Sequence, residues 1–166
     1  MKSATLRFVA PSSPAHYDAL RGIFREYADA LQVDLCFQDF EAELLGLPGE
    51  YAQPRGALLM AISDEAMIGC CALRPLDTVD YPNACEMKRL YVRPGSRSAG
   101  VGRQLAEAML DIARLAAYDC VLLDTLDEME SARALYQDLG FEEIPPYYHN
   151  PIAGAHYLKV NLKPSR

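Results

Sequence analysis

Tyr91-Val92-Arg93-Pro94-Gly95-Ser96-Arg97-Ser98-Ala99-Gly100-Val101-Gly102-Arg103 is where this 166-residue chain passes from strand to helix. Apolar alternation ends at Val92, a loop of small residues follows, and a long amphipathic pattern begins at Gly100. The first N–H groups of a helix have no intrahelical partner and carry about half a positive charge. Small residues there allow a phosphate to approach the backbone closely. Arg97 and Arg103 offer charge-assisted hydrogen bonds to the same anion. The spacing Arg97-x-x-Gly100-x-Gly102 is neither a Walker A loop nor a G-x-G-x-x-G turn. On these residues alone two readings stand, an anion cradle and a glycine-rich turn that caps a helix and binds nothing.

Outward from this turn the chain resolves into eleven elements. Upstream, Cys85 to Val92 reads as a strand. Before it, Ala57 to Ser63 and Ala66 to Leu73 form a hairpin around Ser63-Asp64-Glu65, with a loop running on through Pro75 and Pro82. Thr5 to Val9 is a first strand. Ser13-Pro14 supplies a cap and a first helical residue, and Tyr17, Leu20, Phe24, Tyr27, Ala28 and Leu31 follow at helical spacing to about Gln32. A second helix carries Phe40, Leu44 and Leu45 and stops at Gly46-Leu47-Pro48-Gly49. Downstream, Gly100 to Tyr118 is a helix with Val101, Leu105, Ala108, Met109, Ile112 and Leu115 on its apolar face. Val121 to Asp124 is a short buried strand, Asp127 to Leu139 a helix closed by Gly140, and Phe141 to Ile144 and Ala155 to Leu162 are strands separated by Pro145-Pro146. The order β-α-α-β-β-β-α-β-α-β-β predicts one α/β (α+β) domain over 1–166. Its sheet is mixed, mostly antiparallel, of about seven strands, with helices on both faces.

Composition narrows the partners. Apolar residues are 51% and charged residues 23%, an ordinary globular balance. The net charge is −7, which lacks the basic footprint of a nucleic-acid binder and the polybasic pull toward anionic lipid. No apolar run approaches the roughly 20 residues of a membrane span, and the N-terminus has no stretch of signal-peptide length. Cys36, Cys70, Cys71, Cys85 and Cys120 are odd in number and include no C-x-x-C pair. Neither a disulfide framework nor a metal site is expected, and the simplest location is a reducing cytoplasm.

Arg97-x-x-Gly100-x-Gly102 after a strand resembles the R/Q-x-x-G-x-G/A signature of the GNAT superfamily of N-acetyltransferases. Glu86-Met87-Lys88-Arg89-Leu90-Tyr91-Val92 is similar to that family's fourth strand, and Ala132-Arg133-Ala134-Leu135-Tyr136-Gln137-Asp138-Leu139-Gly140-Phe141 to its A-x-x-L-Y-x-x-x-G-F helix. The resemblance covers about Leu6 to Leu162. It implies an acetyl-CoA pyrophosphate held by the backbone of Ser98, Ala99, Gly100, Val101 and Gly102, with Arg97 and Arg103 alongside. It also implies pantetheine laid along Leu90, Tyr91 and Val92, with the Leu90 amide polarising the thioester carbonyl as an oxyanion hole does. Two positions depart from the pattern. Ser98 stands where many relatives carry Gly, so a left-handed turn there would be strained. Met129 stands where many carry an Asn that bonds the pantetheine arm.

Acetyl transfer needs a neutral amine and a stabilised thiolate. Glu86 stands eleven residues before Arg97, the offset of the base glutamate in the histone-acetylating branch, and alternation places it on one strand face with Lys88, Leu90 and Val92. Burial there would raise its pKa to a useful value; an ion pair with Arg74 is the competing reading. Tyr136 matches the family tyrosine near the coenzyme sulfur. A phenol donating to a thiol works uphill by roughly 2 kcal/mol, so hydrogen-bonding the thiolate is the smaller demand on it. Its other reading is a core residue in step with Ala132 and Leu139.

The family's acceptor side corresponds to Tyr27 to Phe40 and Pro145 to Tyr157. There Tyr27, Asp34, Phe37, Gln38 and Tyr148 offer carboxylate, amide and aromatic groups to an amine. The expected activity is acetyl-CoA-dependent acetylation of a small-molecule primary amine by direct attack in a ternary complex. The rivals are a non-catalytic acyl-CoA-binding module and an acetyltransferase of protein N-termini or lysines. An exposed strand edge is compatible with a homodimer in every case.

Overall fold

A computed structural model of the chain describes residues 5–31, 39–126 and 130–162, with the backbone alone described at 98, 99 and 130. The elements, in chain order, are β1 (Leu6–Val9), α1 (Pro14–Leu31), α2 (Phe40–Leu45), β2 (Ala57–Ser63), β3 (Ala66–Leu76), β4 (Ala84–Val92), α3 (Val101–Leu115), β5 (Cys120–Leu126), α4 (Glu130–Asp138), β6 (Glu142–Ile144) and β7 (Ala155–Asn161). The seven strands form one sheet in the order β1-β2-β3-β4-β5-β7-β6. Only β4 and β5 run parallel, joined by the crossover through α3; every other neighbouring pair is antiparallel. Among the described residues no helix is long and apolar enough to cross a membrane.

Strand alternation sends successive side chains to opposite faces, and each face is covered by a different pair of helices. Leu59, Ala61, Cys71, Leu73, Cys85, Met87, Val121 and Leu123 face α3 and α4, where Leu105, Met109 and Ala113 pack on them. Leu58, Met60, Ile62, Cys70 and Ala72 face α1 and α2, against Leu20, Ile23, Phe24 and Leu44. Cys70 and Cys71, adjacent in the chain, are thus buried thiols of two different cores.

The ends of β3 and α3 differ from the sequence expectation. β3 does not stop at Leu73 but continues through Pro75 to Leu76, pairing Pro75 with Cys85. Pairing with β2 ends at Ala57↔Leu73, so Pro75 has a partner strand on one side only, where its missing N–H is tolerated. α3 ends at Leu115 rather than Tyr118, because Ala117 turns left-handed (φ 67°) and the Tyr118 amide closes back on the Ala113 carbonyl at 3.1 Å. Leu115, expected on the apolar face, is 89% exposed. The buried stripe of α3 runs through Leu105, Met109 and Ala113, and Leu115 falls beyond its edge.

Candidate active site

β4 and β5 pair over three positions only, Ala84↔Cys120, Cys85↔Val121 and Glu86↔Leu122. Both strands then continue, β4 to Val92 and β5 to Leu126, without pairing to each other. The parting opens the sheet at its centre, with the start of α3 and the flank of α4 beside it. A cleft of about 1010 Å³ lies there, lined by Tyr27, Leu90, Tyr91 and Val92, by Arg97, Gly100, Gly102 and Arg103, and by Ala132 and Leu135 of α4.

A β-bulge in β4 decides which side chains meet the cleft. Ala72 pairs with Lys88 but Cys70 pairs with Tyr91, so three steps of β4 oppose two of β3. Arg89 occupies the bulge with φ 61°. Its side chain is 2% exposed, held by two 2.9 Å bonds to the Glu43 carboxylate and lying over the rings of Tyr27 and Phe40. The bulge reverses the alternation expected from the sequence. Glu86 and Lys88 do share a face, that of α1 and α2, but Leu90 and Val92 pack on the opposite side with α3. Neither β3 nor β5 registers with Leu90.

The turn before α3 can offer backbone amides to an anion. Residues Pro94–Ala99 form a 3-10 helical turn, so Ser98 sits in right-handed backbone and the strain expected there does not arise. The left-handed residue is Gly100 (φ 71°), which precedes the helix with no side-chain cap on the free amides behind it. The first helical bond is Gln104 N–H to the Gly100 carbonyl, at 3.2 Å. Arg97 anchors the turn by donating from Nε to the Val92 carbonyl at 2.8 Å, with its guanidinium over the Tyr91 ring. Arg103 reaches across to Asp138 of α4 at 2.8 Å. Met129, like the acceptor candidates Asp34, Phe37 and Gln38, lies outside the described residues.

A second hollow, of about 500 Å³, lies on the other side of the bulge. Asp39, Glu43, Glu50, Tyr51, Arg74, Glu86, Lys88 and Tyr148 line it. Lys88 lines this hollow and Leu90 the first cleft, two residues apart on β4. Of the expected acceptor residues, Tyr148 lines the second hollow and Tyr27 the first.

Glu86 is 0% exposed. Its Oε1 accepts from Arg74 Nε at 2.7 Å and lies 3.8 Å from Lys88 Nζ, while its Oε2 accepts from the Tyr147 hydroxyl at 2.6 Å. Burial alone would raise its pKa, as expected from the sequence. The charges of Lys88 and Arg74 and the bonds from Tyr147 and Arg74 outweigh burial and hold the carboxyl below its ordinary value. The expected elevation is therefore reversed, and the ion pair with Arg74 is present. Lys88 in turn is lowered, burial outweighing the attraction of Glu86.

Tyr136 is buried in the core on the α3 side, edge-on to Phe141 with ring centroids 5.5 Å apart, and does not itself line the cleft. Burial raises its pKa well above the ordinary phenol value, and the negative charges that Cys71, Tyr27 and Asp124 carry when ionised add to the rise.

Spacing and periodicity pointed neither to Asp124 nor to buried Arg89. Tyr147, Tyr148 and Tyr157 stack within 5.3 to 5.6 Å of one another. Tyr147 donates to Glu86 on β4, Tyr148 donates to Asp124 on β5 at 2.5 Å, and Tyr157 donates to the Tyr148 carbonyl at 3.0 Å. The segment before β7 is thus pinned across both limbs of the parting. Three tyrosines in eleven residues were the available cue.

Residues 17–141 match the model of the Acetyltransferase (GNAT) family. An uncharacterized N-acetyltransferase of Schizosaccharomyces pombe is 34% identical over 163 residues, covering 98% of each chain. Among solved structures, a GNAT-family acetyltransferase of Staphylococcus aureus superposes with a TM-score of 0.79 at 20% identity, over 96% of this chain and 100% of that one. A Salmonella typhimurium protein solved with its cofactor acetyl-CoA superposes with a TM-score of 0.65 at 19% identity, over 99% and 97%.

Proposed function

This chain belongs to the GNAT acetyltransferase family as an N-acetyltransferase, and on that premise we propose that it moves acetyl from acetyl-CoA to the primary amine of a small molecule by direct attack in a ternary complex. The observation that carries the proposal is the presence of two hollows beside β4, one lined by Leu90 and one by Lys88, two residues apart. A thioester in the first and an amine in the second face each other across the bulge. A hollow of about 500 Å³, walled by α2, β4 and Tyr148, suits a small acceptor better than an extended peptide.

In this reaction the backbone from Ser98 to Gly102, with Arg97 and Arg103, holds the pyrophosphate. The Leu90 amide donates to the thioester oxygen as negative charge develops there. Pantetheine runs along Leu90, Tyr91 and Val92. By resemblance to the family tyrosine, Tyr136, protonated at neutral pH, is the group that hydrogen-bonds the departing thiolate rather than surrendering its proton, although its ring packs in the core beside the cleft. Glu86 stays anionic and fixes Arg74, Lys88 and Tyr147 as the acceptor wall.

Calorimetric titration with acetyl-CoA, with free CoA and ATP as controls, tests the cradle. Saturable one-site binding tighter than ATP is expected. Release of CoA in the presence of a panel of small primary amines and of peptides with a free N-terminus then tests the acceptor class. Faster release with a small amine supports the reading; preference for peptides assigns the acceptor to proteins, and no binding at millimolar acetyl-CoA removes the enzyme reading.

A further inference from the structure

We propose that the hollow lined by Lys88 takes an acceptor that carries a carboxylate as well as its amine, and that Arg74 binds that carboxylate in place of Glu50. This assignment rests on the N-acetyltransferase reaction above and names the class of acceptor within it. Arg74 lies on β3, paired with Glu86 on β4, and lines the hollow. Its guanidinium is shared between two carboxylates. Nε donates to Glu86 Oε1 at 2.7 Å, and Nη1 donates to Glu50 Oε2 at 2.6 Å. The two partners differ in burial: the Glu86 side chain is 1% exposed and the Glu50 side chain 65%.

Glu86 is the fixed partner. Its Oε1 also faces Lys88 Nζ at 3.8 Å, and its Oε2 is taken by the Tyr147 hydroxyl. One buried carboxylate thus divides its charge between two cations, and Glu50 supplies Arg74 with the remainder from the exposed side. Glu50 is placed to leave. The turn that carries it, Gly49–Tyr51, is secured by other means: Tyr51 is buried, and the Tyr51 and Ala52 amides donate to the Pro48 and Gly49 carbonyls at 2.8 and 3.2 Å. An ion pair with so exposed a partner adds little to stability. Glu50 itself lines the hollow, so a carboxylate entering there can take its place on Arg74. A guanidinium stays charged at every working pH and matches the geometry of a carboxylate.

The other charges of the lining agree with an amino acid rather than a diamine. Glu43 is held by both of its oxygens on buried Arg89, so it makes no demand on a ligand. Asp39 and Glu50 are the exposed carboxylates of the lining, and Arg74 and Lys88 its more buried cations. An amino acid in solution is a zwitterion. The exposed carboxylates attract its ammonium end on approach, and the buried cations receive its carboxylate. A diamine would bring a second positive charge against Arg74 and Lys88, where like charges repel.

The test measures CoA release with glycine, β-alanine, γ-aminobutyrate and δ-aminovalerate, each against the alkylamine and the diamine of the same chain length. The best amino acid should exceed its matched alkylamine and diamine about tenfold or more in kcat/KM, the scale of one charge-assisted hydrogen bond. Arg74→Gln should raise KM for that amino acid about tenfold and change KM for the alkylamine less than about twofold. Glu50→Gln leaves the buried pair intact and removes the competing charge. It should lower KM for the amino acid about threefold and leave that for the alkylamine unchanged, a split that a purely structural role of Glu50 would not produce. Preference for an alkylamine or a diamine, or equal effects of the variants on both kinds of acceptor, overturns this assignment only. A wild type that binds acetyl-CoA but acetylates no amine overturns the reaction proposed above, and this assignment with it.

Discussion

Tyr136 shows how burial sets a residue's chemistry. Its phenol is too weak an acid in this environment to give up its proton at neutral pH, so what it can offer a thiolate is a hydrogen bond. Tyr136→Phe should lower kcat by about 10-fold, the scale of one such bond at about 1.4 kcal/mol, and leave acetyl-CoA affinity unchanged. Steady-state CoA release against equilibrium binding separates the two effects. Glu86 makes the opposite case, a buried carboxylate kept charged by its neighbours. Its folded pKa lies below the ordinary value of 4.5, so the unfolded chain takes up the proton first as pH falls. The stability it contributes is complete above about pH 4.5 and is lost as pH falls through the lower folded value. Glu86→Gln should cost roughly 3 kcal/mol at pH 7, because Arg74 and Lys88 keep their charges without their counter-ion. Urea unfolding between pH 7 and 3 should show a shallower acid decline in the variant.

At the scale of elements, the α3 turn was legible because it depends on nearby residues. Gly100 is named by spacing alone, and the structure gives it the left-handed backbone that favours glycine. A Cβ there meets no atom within 4 Å, so Gly100→Ala is penalised by conformation and not by collision. The expected cost is roughly 1 kcal/mol in urea unfolding, with weaker acetyl-CoA binding by calorimetry as the amides shift. The β4 bulge was not legible. Leu90, Tyr91 and Val92 form a continuous apolar run that marks no bulge. The left-handed turn at Arg89 depends on Glu43, 46 residues earlier, and on two aromatic rings of α1 and α2. One inserted residue then turned Leu90 and Val92 to the face opposite Glu86, which no periodicity within β4 announces.

For the whole molecule, a ligand that spans the parting should report on the assembled fold. Acetyl-CoA at about 100 times its dissociation constant should add ~2.7 kcal/mol. For a chain of this size that raises Tm by roughly 5–10 °C, readable in a thermal scan against an ATP control. Element order, the two covered faces and the anion turn follow from the sequence, because hydrophobic periodicity and capping chemistry act over a few residues. The insertion of β7 between β5 and β6, the parting of β4 from β5 after Glu86, and the pinning of Tyr147 and Tyr148 onto two carboxylates are pairings between distant segments. Asp124 therefore reads in the sequence as one more residue of a short strand. Only the tertiary structure brings Tyr148 and Asn150 to its carboxylate.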